Sequence, residues 1–469
     1  MDNFDDLDFL GENDEFHGGR KKEDQLKKIL RLEQDSLKNL DSESLEEIIN
    51  FYFDNNDFEK ALSYVNVLLD IYPYSTDAWL KKALILDSLG KFEDAIEFFD
   101  KAIVLNPTDI ELYINKGITL DNFEQYENAV ESFQFALDLE PQNVDALFNL
   151  GLTFEKLEKF SEACECFEKV IKFDPDSKDA YYELGYCYDF LDLLEESIAA
   201  YDKHISLSPA NFNAWYNKGI VLNRMGRFLK AIENYDMCIA LKENFSPAWY
   251  NCGNAYASLG RLYKAIEYYQ VALKYKNDDA YSLHNIGNAY EELGEYEEGI
   301  KFFTEAIKID HHNYESYYGR GNCYFNLSEY EKAVNDFRSA LILCKDYSEI
   351  WYLKGDAEFA LGRLDDAISS YEMVVKLEPE NYEAYYDLGC CLIDAKYYNE
   401  AIVVLNKAIK YNSKWAEPYY EKAKINILHG DSDSAMEMLE KAFQLSPSDR
   451  FEYDLSMDWE RVVKFLVSR

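Results

Sequence analysis

Apolar residues recur along this chain in two alternating helical stripes. One follows i, i+3, i+4, i+7, as in Trp249, Cys252, Gly253 and Tyr256; the other follows i, i+4, i+7, as in Ala265, Tyr269 and Ala272. A glycine often separates the first stripe from the second, and a proline often follows the second. Glycine suits a helix C-terminus that must turn, and proline cannot continue a helix, so the pattern predicts helix–turn–helix pairs.

The pairs repeat with a fixed period. Trp79, Trp215, Trp249 and Trp351 are separated by multiples of 34 residues, and that register runs from Ser42 to Asp449 as twelve units without insertion or deletion, about 87% of the chain. Numbered within a unit, position four is Trp, Tyr or Leu throughout. Position eight is Gly in nine units, position twenty is Ala in ten, and position twenty-four is aromatic in nine. Positions four, seven, eight and eleven are expected to form the buried stripe of a first helix, and positions twenty, twenty-four and twenty-seven that of a second. Gly and Ala where the stripes meet allow close backbone approach, with large aromatics filling the space around them. Seven of the nine prolines stand at position thirty-two, and Pro247 and Pro418 fall at the start of a first helix, where the missing N–H costs nothing.

These columns resemble the tetratricopeptide repeat, a 34-residue helix–turn–helix; Pro247 to Asp278 (PAWYNCGNAYASLGRLYKAIEYYQVALKYKND) lies close to the family consensus. The resemblance covers all twelve units. It implies an all-α, right-handed superhelical solenoid whose first helices line a concave groove holding a peptide or a partner's helix. Ile49 and Ala83 depart from the Gly of position eight, which makes the first unit the weakest match. Ser197 and His204 occupy Ala positions of the fifth unit, and His204 is expected to be a hydrogen-bonded core histidine.

Composition narrows the class of partner. With 89 acids against 48 bases, the chain carries a net charge of −41, which repels nucleic acid and anionic membranes. At 48% apolar and 16% aromatic residues, it is far from a disordered polyanion. No apolar run is long enough to span a membrane, and Met1 to Phe16, with seven acids and no base, is the reverse of a secretory signal. A cytoplasmic protein is expected. The nine cysteines lack metal or disulfide spacing and read as small buried apolar groups. Residues 1–19 are expected to be an acidic tail, 20–41 an N-terminal capping helix and 450–469 a C-terminal one, since an open solenoid end exposes its apolar stripe.

Catalytic signatures are absent: there is no phosphate loop, dinucleotide fingerprint or His-Glu-x-x-His, and the repeats leave no room for a catalytic domain. No enzyme activity, cofactor or metal is expected. Function therefore falls to the face of the first helices away from the core, where positions five, nine and twelve should form an exposed stripe. Position five is Tyr182, Tyr216, Tyr250, Tyr318 and Tyr352, among others. Position six holds Asn149, Asn217, Asn251 and Asn285, and position nine holds Asn254, Asn288 and Asn322. By resemblance to sugar-transferase superhelices, these asparagines would grip a peptide backbone through their amides. Position twelve runs from Asp87, Asp121, Glu155 and Asp189 to Phe325 and Phe359, and position two adds Asp77, Glu111, Asp145 and Asp179. The expected groove is acidic toward the N-terminus, amide-rich in the middle and apolar toward the C-terminus. It suits a protein or peptide with Lys or Arg at one end and bulky apolar anchors at the other. Repeats of this family that bind carboxylate tails place Lys at position five; none of the fifth positions here is Lys, so the resemblance implies that a carboxylate tail is disfavoured. A non-enzymatic scaffold or adaptor is the leading reading; a self-assembling structural element and a non-catalytic subunit of a larger complex are the alternatives.

Overall fold

The computed structural model describes residues 28–29 and 41–446. The acidic tail, most of the N-terminal cap and the C-terminal cap expected from the sequence lie outside the described residues. Each repeat forms a first helix of twelve or thirteen residues and a second of fourteen. They run from Ser42–Asp54 and Phe58–Ile71 in repeat one to Glu417–Leu428 and Ser432–Leu445 in repeat twelve, and the described residues contain no strand. The chain divides into two compact units, one ending at Arg227 and the other beginning at Phe228.

Local chemistry sets the helix boundaries. The last position of the preceding repeat is usually Asp, Asn or Ser, and its side chain accepts from an amide of the first turn, as Ser75 does from Ala78 (3.2 Å) and Asn143 from Ala146 (2.9 Å). At the other end of the first helix, position fifteen adopts a left-handed backbone in every repeat. Six are glycines, and the others are Asn56, Glu124, Glu158, Asp192, Ser328 and Lys396 with φ between 57° and 65°. Around it the amide of Gly90 donates to Asp87 and that of Lys91 to Leu86, the two bonds of a Schellman turn.

Within each unit, every helix packs on the next. Consecutive first helices also touch at most junctions, while consecutive second helices make no comparable contact among the described residues. The first helices therefore line the inner side of each unit. The core sits where position eight meets position twenty-four of the same repeat. A Cβ built on Gly117, Gly151 or Gly253 would lie 2.6 Å from the ring of Phe133, Phe167 or Tyr269. Two of the three exceptions compensate in size, Ile49 with Val65 and Ala423 with Leu439 at position twenty-four, whereas Ala83 shares its buried cluster with Phe99.

The second-helix stripe at positions twenty, twenty-four and twenty-seven is buried in all twelve repeats. The first-helix stripe needs correction. Positions eight and ten are buried throughout, and position three from repeat two onward, whereas positions four and seven are often only half-buried. A first helix packs against its own second helix and that of the preceding repeat, so its buried face is wider than one stripe. Position four is an edge anchor instead: the indole N–H of Trp79, Trp215, Trp249 and Trp351 donates to the carbonyl six residues earlier, at 2.8–3.0 Å. His204 is a core histidine, 1% exposed, with Nδ1 2.7 Å from the Lys178 carbonyl and Nε2 2.9 Å from the Asn211 amide. Of the predicted N-terminal cap, Ile29 is buried among Leu45, Ile48 and other residues of repeat one.

Two stability outcomes follow. Ala265 is fully buried, so Ala265→Leu overpacks the helix pair and costs roughly 1–3 kcal/mol, measured by urea unfolding. At position fifteen the sign depends on the starting residue. Gly260→Ala costs about 1 kcal/mol, whereas Glu158→Gly, which relieves a left-handed glutamate, leaves stability unchanged or raised.

Candidate partner-binding face

The inner face is built from positions two, five, six, nine and twelve of the first helices. Stacking at 34 residues sets position five of one repeat beside position six of the next. Asn217 donates to the Tyr182 hydroxyl at 3.0 Å, Asn285 donates to that of Tyr250 at 3.1 Å, and the Tyr352 hydroxyl donates to Asp387. Where the preceding position five has no hydroxyl, the asparagine turns back on its own helix. Asn115, after Leu80, and Asn149, after Ile114, donate to the carbonyls of Glu111 and Asp145 at 2.9 and 2.8 Å.

The expected exposed stripe is thus half-buried. Where position twenty-four is aromatic, rings at position five lean on it within their own repeat, with centroids 5.8 Å apart for Tyr182 and Tyr201, 5.7 Å for Tyr250 and Tyr269, and 5.8 Å for Tyr352 and Tyr371. Tyr318 leans on Phe337 in the same way at 6.4 Å. Most amides are already engaged. Asn254 accepts from Tyr269 (2.7 Å) and Asn285 (3.0 Å), and Asn288 meets His284, whose other ring nitrogen contacts Ser316. Tyr216 and Asn251 also have partners within the chain. Asn322 differs, since its side-chain oxygen is buried without a hydrogen-bond partner.

The acids of position twelve are unequal. Asp121 is held by Lys156 and by the Thr153 hydroxyl (2.9 Å), and Asp189 is held by Arg224, which also reaches Asp192. In both pairs the cation comes from position thirteen of the next repeat. The acidic field expected at these two sites is therefore neutralised within the array. Position two is different: Asp77, Glu111, Asp145 and Asp179 are all exposed. One oxygen of Asp87 is buried without a partner. Toward the C-terminus, Phe325 packs edge-on against Tyr330 at 5.4 Å, while Phe359 is 40% exposed.

Glu155 has no cation among the described residues. Among the same residues its only hydrogen bond is from the Cys187 thiol at 2.9 Å, and burial pushes its carboxyl up to about 7. Close by, burial and the charges of Glu155 and Asp179 push Glu183 up to about 8. Glu183 occupies position six, the asparagine column, and was not among the residues expected at the site. Tyr186 and Phe190 were also missed. They are 38% and 56% exposed, with centroids 4.8 Å apart, and Phe160 stacks on Phe190 at 4.4 Å. The sequence signals were a Glu in an amide column and a Phe at position thirteen. Among the described residues, no group of three His, Cys, Asp or Glu side chains is arranged to hold a metal ion. No helix there is long and apolar enough to cross a membrane.

Tetratricopeptide repeat profiles match residues 76–109, 144–177, 280–313 and 314–347, in the same register as the repeats above. Related profiles match 98–131 and 166–199, then 212–245, 382–414 and 416–449, and a TPR repeat profile matches 124–158, 253–294 and 355–390. No curated protein matches the chain. Among solved structures, MamA is 29% identical over 36% of this chain and 92% of its own, with a TM-score of 0.35. The APC/C hetero-tetramer Cut9-Hcn1 is 14% identical over 89% and 96%, with a TM-score of 0.36. Yeast Tom70 is 16% identical over 83% and 94%, with a TM-score of 0.35.

The raised carboxyls give a pH dependence with a defined sign. Between the ordinary carboxylate range and pH 7–8, the folded chain keeps protons on Glu155 and Glu183 that the unfolded chain has released. The stability these two groups contribute is present at acidic pH and lost as pH rises through 7–8. Thermal melts should show Glu183→Gln gaining on the parent chain as pH goes from 5 to 8; a constant difference would rule out this ionisation.

Proposed function

Since the chain belongs to the tetratricopeptide repeat family, a family of protein-interaction scaffolds, we propose that it is a non-enzymatic scaffold. Its first-helix faces hold a Lys- or Arg-containing segment of a partner protein with bulky apolar anchors. The observation that carries this reading is the exposed acidic column at position two, Asp77, Glu111, Asp145 and Asp179, in a chain of net charge −41. Such a column steers a cationic segment onto the face and repels an anionic one. Phe359, exposed in the second unit, is a candidate apolar contact. Asn149, Asn217, Asn254, Asn285 and Asn288 would have to exchange partners before gripping a peptide, and the buried Asn322 oxygen would first have to be uncovered.

The test uses a fluorescein-labelled peptide alternating leucine with lysine and arginine, with a leucine–glutamate peptide as control, read by anisotropy. Only the basic peptide should bind, and its affinity should fall at least tenfold between 50 and 300 mM salt, as expected for screened surface charge (roughly, from the shrinking Debye length). The triple change Asp77→Lys, Asp145→Lys, Asp179→Lys, at exposed positions, should weaken binding by about tenfold or more without altering the melt. Equal binding of the acidic peptide, or indifference to salt, would contradict the proposal.

A further inference from the structure

At the junction of repeats four and five, two carboxyls at once lack the pairing that their columns show next door. On either side of it the acid at position twelve takes a cation from position thirteen of the next repeat, Asp121 from Lys156 and Asp189 from Arg224. For Glu155 that position is Phe190. At position six, Asn115 and Asn149, which follow Leu80 and Ile114, bond back to their own helix, while Asn217 pairs with the tyrosine at position five of the preceding repeat, Tyr182. For Glu183 that position is Phe148. Among the described residues two carboxyls are thereby left without a cation, and the Phe190 ring that stands in place of one is more than half exposed.

The rings form a prepared surface. Phe160 and Phe190 are stacked with planes 15° apart, and Tyr186 leans on Phe190. Glu183, Tyr186 and Phe190 follow at i, i+3 and i+7 along one helix, and Glu155 accepts from Cys187 of that same helix, so the acids and the rings share one neighbourhood. An apolar occupant alone would cover the rings but leave two half-buried carboxyls unpaired. A hydrated ammonium would satisfy one acid and stack poorly. A guanidinium is planar, weakly hydrated, lies flat on aromatic faces and presents a fork of donors to carboxylates on adjacent helices.

Resting on the scaffold reading above, we propose that this junction is an arginine-binding site. A partner's guanidinium lies on Tyr186 and Phe190 and donates to Glu155 and Glu183, replacing the cation and the donor that the array omits here. The site lies wholly within the first unit.

The probes are labelled peptides of leucine and serine carrying a single arginine, lysine or citrulline, titrated into the full chain by anisotropy. The arginine peptide should bind most tightly, with lysine several-fold weaker and citrulline about tenfold weaker or more. Phe190→Ala, Glu155→Gln and Glu183→Gln should each weaken the arginine peptide by roughly tenfold and narrow the gap to citrulline. Truncating Phe190 removes a largely exposed ring, and Glu183→Gln removes buried like-charge repulsion, so neither change should unfold the chain. Loss of binding without loss of stability separates recognition from a structural role. If these variants stay within twofold of the parent while the position-two reversal still weakens the basic peptide, the arginine site is wrong and the scaffold reading stands. If no basic peptide binds at all, both fall.

Discussion

The array depends on one close approach repeated along the chain, the edge of the ring at position twenty-four lying against a backbone with no Cβ at position eight. At Gly117, Gly151 and Gly253 the missing carbon would sit 2.6 Å from the ring, inside any tolerable contact. That proximity sets the distance between paired helices, and hence where the next pair can land. It also explains why the second-helix stripe is the most uniform in the molecule. Ala at position twenty, an aromatic at twenty-four and a small or medium residue at twenty-seven must all fit a gap fixed by glycine. At Gly319 the same constraint appears across a junction, where an added Cβ would meet the Phe303 ring of the preceding repeat at 2.4 Å. Phe303 is therefore confined between glycines of two successive repeats.

Fixing the spacing also fixes the side-chain ladder. Bonds such as Asn217 to Tyr182 and Asn285 to Tyr250 span 35 residues, one repeat and one position, so they form only if every pair stacks in register. Each repeat thus satisfies polar groups of its neighbour, and stability accumulates through nearest-neighbour terms. The same ladder spends most of the amides that a bound peptide would otherwise use.

The period, the helix pairing, the core of the second helices and the turns at position fifteen were all legible in the sequence, because each is a backbone or volume constraint repeated twelve times. The breadth of the first helix's buried face was not. Periodicity reveals one stripe, but a helix packed between two others hides positions three and ten as well. The inner face was legible by residue type and misread by availability. Tyr182 and Asn217 are where the register puts them, yet a single unit cannot show that position five of one repeat bonds position six of the next. Asp121 and Asp189 counted as free acids for the same reason, since Lys156 and Arg224 stand 35 residues away. Glu183 was passed over because it breaks a column, and attention went to residues that keep one.

That last error indicates where specificity resides in a protein of this kind. Most residues that obey the repeat, Asp87 and Asn322 excepted, are satisfied by it: Tyr182 has its asparagine, Asp121 its lysine, the indoles their carbonyls. A partner gains little from groups whose bonding is complete, because it must break one interaction to make another. Groups left incomplete are those whose expected neighbour has been replaced, as Phe148 and Phe190 do for Glu183 and Glu155. Uniformity builds the solenoid, so the information that selects a partner has to be written in the exceptions. The junction of repeats four and five carries two of them, on helices of successive repeats, with an exposed ring alongside.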